Sequence, residues 1–211
     1  MKAGIDVSTI LSRLRDKYPT ASYELNWETP TQMLVATILA AQCTDERVNA
    51  VTATLFVTYP DARAFAQADL SELEQAIKPT GFFRQKAKTV QAVCQALEER
   101  FGGEVPASLD ELITLPGVAR KTANVVLATC WDRAEGVIVD THVVRLAKRM
   151  GLSDEKKPEA IERDLMELVP QSEWTYFGPA VILHGRYTCV AKGPKCSGCM
   201  FDDVCPKVGV K

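Results

Sequence analysis

The sequence predicts an all-α protein. Three observations carry that prediction. Every segment with a regular hydrophobic pattern repeats at helical rather than alternating spacing. The single strand-like run, Gly136-Val137-Ile138-Val139, is four residues long. The periodic segments are also separated by recognisable helix starts (Thr, Ser, Asp) and stops (Pro, Gly).

Taken in order, the pattern predicts a helix from Ile5 to Tyr18, with Ile10, Leu11 and Leu14 on one side and Arg13, Arg15 and Lys17 largely elsewhere. Pro19 stops it. Thr31 to Cys43 is nearly all apolar or small, which predicts a central buried helix started by Thr29-Pro30. Asp45 to Thr58 follows, with Thr44 as a candidate cap and Tyr59-Pro60 as its end. A short helix opens at Asp69-Leu70-Ser71 and stops before Pro79. The loop Pro79 to Arg84 leads into a long helix from about Gln85 to Arg100, ended by Gly102-Gly103. Ser108 to Ile113 and Thr122 to Trp131 read as a helix pair. Asp140-Thr141 then caps a helix from Val143 to Met150, and Pro158 to Val169 and Glu173 to Tyr187 supply two more.

A chain of 211 residues suits one large domain or two small ones. Hydrophobic content of 46% and charged content of 25% are globular values and argue against disorder. The net charge is −2, and both halves of the chain are close to neutral, so a nucleic-acid surface has to be a local patch. Met1 to Asp6 leads straight into a charged amphipathic segment, without an apolar run and cleavage site. The longest uncharged stretch, Thr29 to Thr44, contains Gln32, Gln42 and several threonines, and is shorter than the ~18 apolar residues of a spanning helix. The expectation is a soluble, cytoplasmic protein without a membrane partner.

Leu115-Pro116-Gly117-Val118-Ala119-Arg120-Lys121 connects the helix pair. Pro116-Gly117 is a turn dipeptide, so the stretch reads as helix, tight hairpin, helix. A hairpin running into a helix presents free backbone N–H groups beside the positive end of the helix dipole, a place that attracts phosphate. Arg120 and Lys121 follow directly. These seven residues alone are equally consistent with an ordinary turn bearing two solvated cations.

Seven cysteines are present. Cys43, Cys94 and Cys130 lie in apolar helical surroundings and read as small hydrophobes. Cys189, Cys196, Cys199 and Cys205 fall within seventeen residues, with six, two and five residues between them. In a reducing compartment such density points to metal ligands rather than disulfides. A structural zinc usually shows two close pairs, whereas here one close pair is flanked by outlying cysteines, which favours an iron–sulfur cluster without excluding zinc. The loop between the first two carries Lys192 and Lys195, and His184 to Lys211 holds five Lys or Arg against two Asp. A metal that shapes this loop would present basic groups to a phosphate backbone; it would equally serve only to staple the chain end.

Leu115 to Leu127, then Val139-Asp140-Thr141-His142, then Leu183 to Cys189 with the four-cysteine array, together resemble the endonuclease III family. Those proteins are helix-hairpin-helix DNA glycosylases with an abasic-site lyase activity. The resemblance spans about residues 20 to 206, in the same order and with similar gaps. It implies one 4Fe-4S cluster on Cys189, Cys196, Cys199 and Cys205. It implies Lys121 as the nucleophile that attacks the sugar C1′ of a damaged pyrimidine nucleotide, and Asp140 as the carboxylate that stabilises the cationic sugar and moves protons. Such a lysine must react as the neutral amine near pH 7, well below its ordinary pKa of ~10.4, through desolvation or neighbouring cations such as Arg120 and its own helix end. Asp140 also has the residue type and place of a helix cap, and the two roles are compatible.

The enzyme must take its target out of the stack. The resemblance implies that Gln42 fills the hole and that Phe82, in the loop after Gly81, wedges the duplex. The usual wedge is aliphatic; an aromatic would stack on the orphaned base and shift opposite-base preference. Leu115, Gly117, Ala119 and Arg120 of the hairpin, Lys192 and Lys195 of the cysteine loop, and His142 complete the expected DNA-binding set. Ala119 replaces the second hairpin glycine, which is harmless where a helix begins. Trp174 to Pro179 also departs from the family pattern ahead of His184.

Two alternatives belong to other classes. An adenine-mismatch glycosylase relative shares the hairpin and cluster but lacks the lysine and carries a further C-terminal domain, whereas this chain has Lys121 and ends soon after Cys205. A non-catalytic helix-hairpin-helix DNA-binding protein needs neither Lys121 nor Asp140. The resemblance also implies two helical lobes with a DNA cleft between them. Residues 22–132 would form a six-helix-type barrel with the hairpin, and residues 1–21 plus 133–211 a second domain closed by the 189–205 cluster loop. The expected partner is double-stranded DNA with oxidised pyrimidines or abasic sites, bound by a monomer working on the nucleoid.

Overall fold

The computed structural model describes residues 4–210. Among them are eleven α-helices, two short 3-10 helices and no strand. The order is α1 (Val7–Lys17), α2 (Pro30–Leu39), α3 (Asp45–Thr58), α4 (Ala62–Ala66), α5 (Leu70–Ala76), α6 (Phe83–Phe101), α7 (Leu109–Leu112), α8 (Arg120–Trp131), α9 (Thr141–Arg149), α10 (Pro158–Leu168) and α11 (Trp174–Tyr187). The 3-10 turns, Lys78–Thr80 and Gln171–Glu173, precede α6 and α11. The all-α expectation holds. Val137, Ile138 and Val139 are buried but pair with nothing as strands.

Most helix starts follow local chemistry. The side chains of Asp6, Thr29, Thr44, Asp61, Asp69 and Asp140 each accept a backbone N–H from the first turn of the helix they open. Ser108 occupies the corresponding place before α7 but makes no such bond. Three boundaries differ from expectation in ways that matter for function. α2 stops at Leu39 rather than Cys43, so Gln42 lies in a turn, and α6 begins at Phe83 rather than Gln85, with Phe82 as its left-handed cap. α8 begins at Arg120, which places both hairpin cations inside its first turn. α4 was not anticipated, because five residues are too few to show a period.

The chain divides into two compact units, one of Glu24–Arg133 and one joining the residues up to Tyr23 to those from Ala134 onward. In the first, α2 is the central helix. Met33, Leu34, Val35 and Leu39 are fully buried, and α2 packs on α3, α6 and α8. Each such side chain contributes roughly 1.5–3 kcal/mol of burial. In the second, α9 and α11 pack on each other, with α1 on α11 and α10 on α9. Ile10, Leu14, Leu146, Leu165, Phe177 and Phe201 form its core. Pro179 sits inside α11 without ending it.

Candidate active site and cysteine cavity

The hairpin is built on a buried footing. Leu115 and Val118 are 2% and 5% exposed, and the Val118 N–H donates to the Leu115 carbonyl at 3.2 Å. The Leu115 side chain therefore belongs to the core, and only its backbone can face a ligand. Arg100 braces the turn from α6, donating to the Thr114 carbonyl at 3.3 Å and hydroxyl at 2.6 Å. Gly117 is required twice over. Its φ is +72°, and a Cβ there would lie 2.7 Å from Cγ2 of Thr89. Ala119 is the cap residue of α8 at φ −80° and ψ 161°, extended backbone that alanine adopts freely. It carries no side-chain acceptor for the first turn of α8. Arg120 and Lys121 occupy the first two positions of that helix, and Lys121 is exposed. The positive end of α8 and Arg120 are its neighbours.

Gln42 and Phe82 share an unusual backbone. Their φ values are +55° and +47°, the left-handed region that residues with a side chain occupy at a cost of roughly 1–3 kcal/mol. Both are exposed, Phe82 at 66%. Both also line one pocket of about 310 Å³, together with Thr37, Gln85, Lys86, Gly117 and Thr122. The glutamine, the aromatic and the hairpin glycine, seventy-five residues apart in sequence from first to last, thus meet at one place in the Glu24–Arg133 unit.

Lys86 was not singled out by its sequence. It is 6% exposed, and its ammonium donates at 2.8 Å to the carbonyls of both Leu39 and Thr80. Burial lowers its pKa from the ordinary lysine value. A lysine in an amphipathic helix gives no sequence signal of such a role.

In the other unit, Asp140 caps α9. Its Oδ1 accepts from the His142 N–H at 2.8 Å and the Val143 N–H at 2.9 Å. Among the described residues its Oδ2 accepts nothing, and the residue is half-buried. His142 is occupied structurally: its Nδ1 lies 3.1 Å from an Arg145 guanidinium nitrogen. A Cβ on Gly185 would come within 3.0 Å of the same ring, so α11 closes over it.

Cys189, Cys196, Cys199 and Cys205 line a single cavity with Arg149 and His184, and all four thiols are free. Among the described residues, no group of three or more His, Cys, Asp or Glu is arranged to hold a single metal ion. A four-iron cluster makes a different demand, because each thiolate binds its own iron and the sulfurs surround a volume rather than a point. The cavity suits that demand. Arg149 donates to the Cys189 Sγ at 3.3 Å and the Phe201 N–H to the Cys199 Sγ at 3.4 Å, the kind of donors that stabilise ligating sulfur. Burial pushes the Cys199 and Cys205 thiols up, so a bound metal would have to draw off their protons.

Arginines fix the loop above the cavity. Arg149 donates to the Val190 and Ala191 carbonyls at 2.8 and 3.0 Å, and Arg145 to the Cys189 carbonyl at 3.1 Å. Lys192 and Lys195 are exposed on it, and Lys195 also lines the cavity. The unusual Trp174–Pro179 segment leaves His184 well placed. Its Nε2 lies 3.6 Å from the Cys199 Sγ, its ring meets Phe201 edge-on at 5.2 Å, and burial holds it neutral by lowering its pKa to about 4.

Residues 35–171 match the HhH-GPD superfamily base excision DNA repair protein family. Endonuclease III of Synechocystis sp. is 54% identical over 197 residues, covering 93% of this chain and 90% of that protein. The chain belongs to the endonuclease III family. Two solved structures of that family agree in fold: a non-covalent endonuclease III–DNA complex (TM-score 0.90, 39% identity, covering 95% of this chain and 94% of that one) and a trapped endonuclease III–DNA covalent intermediate (TM-score 0.90, 38% identity, the same coverage). The family is one of base excision DNA repair. No helix among the described residues is long and apolar enough to cross a membrane.

Proposed function

We propose that this chain is a bifunctional DNA glycosylase and abasic-site lyase acting on oxidised pyrimidines in double-stranded DNA. The observation that carries the reading is the placement of Lys121, exposed in the first turn of the hairpin's second helix and so next to any phosphate the hairpin grips. The neutral amine of Lys121 forms a bond to C1′ as the glycosidic bond breaks, and the base leaves with its electron pair and takes up a proton. Opening of the sugar ring yields the Schiff base. Loss of a C2′ proton then places a C2′–C3′ double bond and expels the 3′ phosphate, and hydrolysis returns the lysine. Asp140, held by its cap bonds with one oxygen still available, stabilises the developing positive sugar and moves protons. The reading requires Lys121 and Asp140 to act on the same nucleotide.

Gln42 and Phe82 replace the extruded nucleotide, and the aromatic stacks on the orphaned base. The hairpin backbone of Leu115, Gly117 and Ala119, with Arg120, grips the strand, while Lys192 and Lys195 meet its phosphates. Cys189, Cys196, Cys199 and Cys205 would hold one 4Fe-4S cluster, whose contribution when bound is to fix the lysine-bearing loop in shape. The protein acts as a monomer on nucleoid DNA in the cytoplasm.

Borohydride reduction in the presence of an abasic duplex tests the lyase reading. A covalent protein–DNA adduct is expected from the unaltered chain and none from Lys121→Ala; no adduct from the unaltered chain overturns the reading. Broad visible absorbance with stoichiometric iron is expected for the cluster, and zinc without that absorbance refutes it.

A further inference from the structure

The two left-handed tips, Gln42 and Phe82, sit on separate loops forty residues apart, yet they line one pocket. Each loop leaves the end of a helical segment: α2 ends at Leu39, three residues before Gln42, and the 3-10 turn ends at Thr80, two residues before Phe82. The last carbonyls of a helix have no partner within it and carry its negative dipole end. Lys86 takes one such carbonyl from each, Leu39 and Thr80, both at 2.8 Å, from a side chain that is 6% exposed. Its own backbone N–H bonds to the Phe82 carbonyl at 3.1 Å, so the same residue also secures the left-handed cap of α6.

We infer that Lys86 is a positioning residue for nucleotide extrusion: one buried ammonium cross-links the loops of Gln42 and Phe82 and holds both tips over a common pocket. The inference rests on the glycosylase reading above. Lys86 touches neither substrate nor the reacting atoms in this role. It fixes the separation of two side chains that must enter the duplex together, and an error of about 1 Å in such a separation is enough to cost on the order of 10²-fold in rate.

Lys86→Met keeps the aliphatic stem and removes both bonds. Its kcat/KM would be measured on two duplexes, one with an oxidised pyrimidine opposite a normal purine, the other with the same lesion opposite an abasic spacer. The second needs little prying of the strand and no accommodation of an orphaned base. The expected result is a fall of about 10²-fold on the first duplex and little change on the second. The fluorescence rise of 2-aminopurine beside the lesion, which reports unstacking, should be lost on the first duplex as well. Lys86→Gln, which can still donate to one carbonyl, should fall between, and it carries the test should Lys86→Met fold poorly. Equal losses on both duplexes would reduce Lys86 to a stabilising residue and overturn the proposal, as would full activity on both. Failure of the unaltered chain to form a borohydride adduct would instead overturn the glycosylase–lyase reading itself.

Discussion

Helices α8 and α9 each begin beside a residue assigned to the reaction, and they begin in opposite ways. α9 is closed by its own chain, since Asp140 takes two first-turn N–H groups on a single oxygen. α8 starts from Ala119, which has no side-chain acceptor to offer. A capped start spends its positive end internally and gains a carboxylate held in one orientation. An uncapped start leaves donors and dipole for an outside anion, at a cost of about 1 kcal/mol in helix stability relative to a good cap. The proposed nucleophile, Lys121, stands at the open start, and Asp140, the proposed catalytic carboxylate, is itself the closure of the other. On the proposed function, stability is given up where the strand is gripped and kept where a side chain is aimed.

Substitutions can break this contrast, and the largest expected effect is at the open start. Lys121→Ala should abolish strand cleavage, by on the order of 10³-fold or more, while an exposed site leaves the melting temperature nearly unchanged. Next comes Asp140. Asp140→Asn preserves an equally good cap, so stability should move by less than about 0.5 kcal/mol while turnover drops roughly 10²- to 10⁴-fold. Asp140→Ala should lose the same activity and about 1 kcal/mol besides. Comparing the two by thermal melts and single-turnover kinetics separates aiming from chemistry; equal stability in both would show that the cap contributes nothing.

Gly117→Ala should destabilise by roughly 1–3 kcal/mol, because it combines a positive φ with a clash at Thr89. Adding Thr89→Ser removes the methyl and should recover part of that loss, as a double-mutant cycle in denaturant would show. The smallest effect sharpens the comparison most directly. Ala119→Ser closes the open start, so it should stabilise by up to about 1 kcal/mol and weaken duplex binding about two- to fivefold. Tighter binding by the serine variant would mean that phosphate does not use those N–H groups.

Much of this was legible in the sequence because it is local. A cap acts over three residues, which is why Thr44 and Asp140 could be named as helix starts from their neighbours alone. The hairpin was equally readable from Pro116-Gly117. Where the reading slipped, longer-range forces decided. Thr31 to Cys43 is apolar throughout, so hydrophobicity could not mark the end of α2 at Leu39. Ser108 has the residue type of a cap and does not act as one. No local pattern showed that the Leu115 side chain lies in the core, which leaves its backbone for the DNA contact expected of it.

The sequence by itself determined the helical class, the hairpin, the dense cysteine array and the family, because each depends on residue types at short, fixed spacings. Tertiary structure alone decided which distant residues share a surface. Gln42, Phe82 and Gly117 meet at one pocket because α2, α6 and α8 pack together. Lys86 became a bridge because that packing buries it between two helix ends whose carbonyls needed donors. Burial and partner choice are properties of the packed chain, and no window of the sequence contains them.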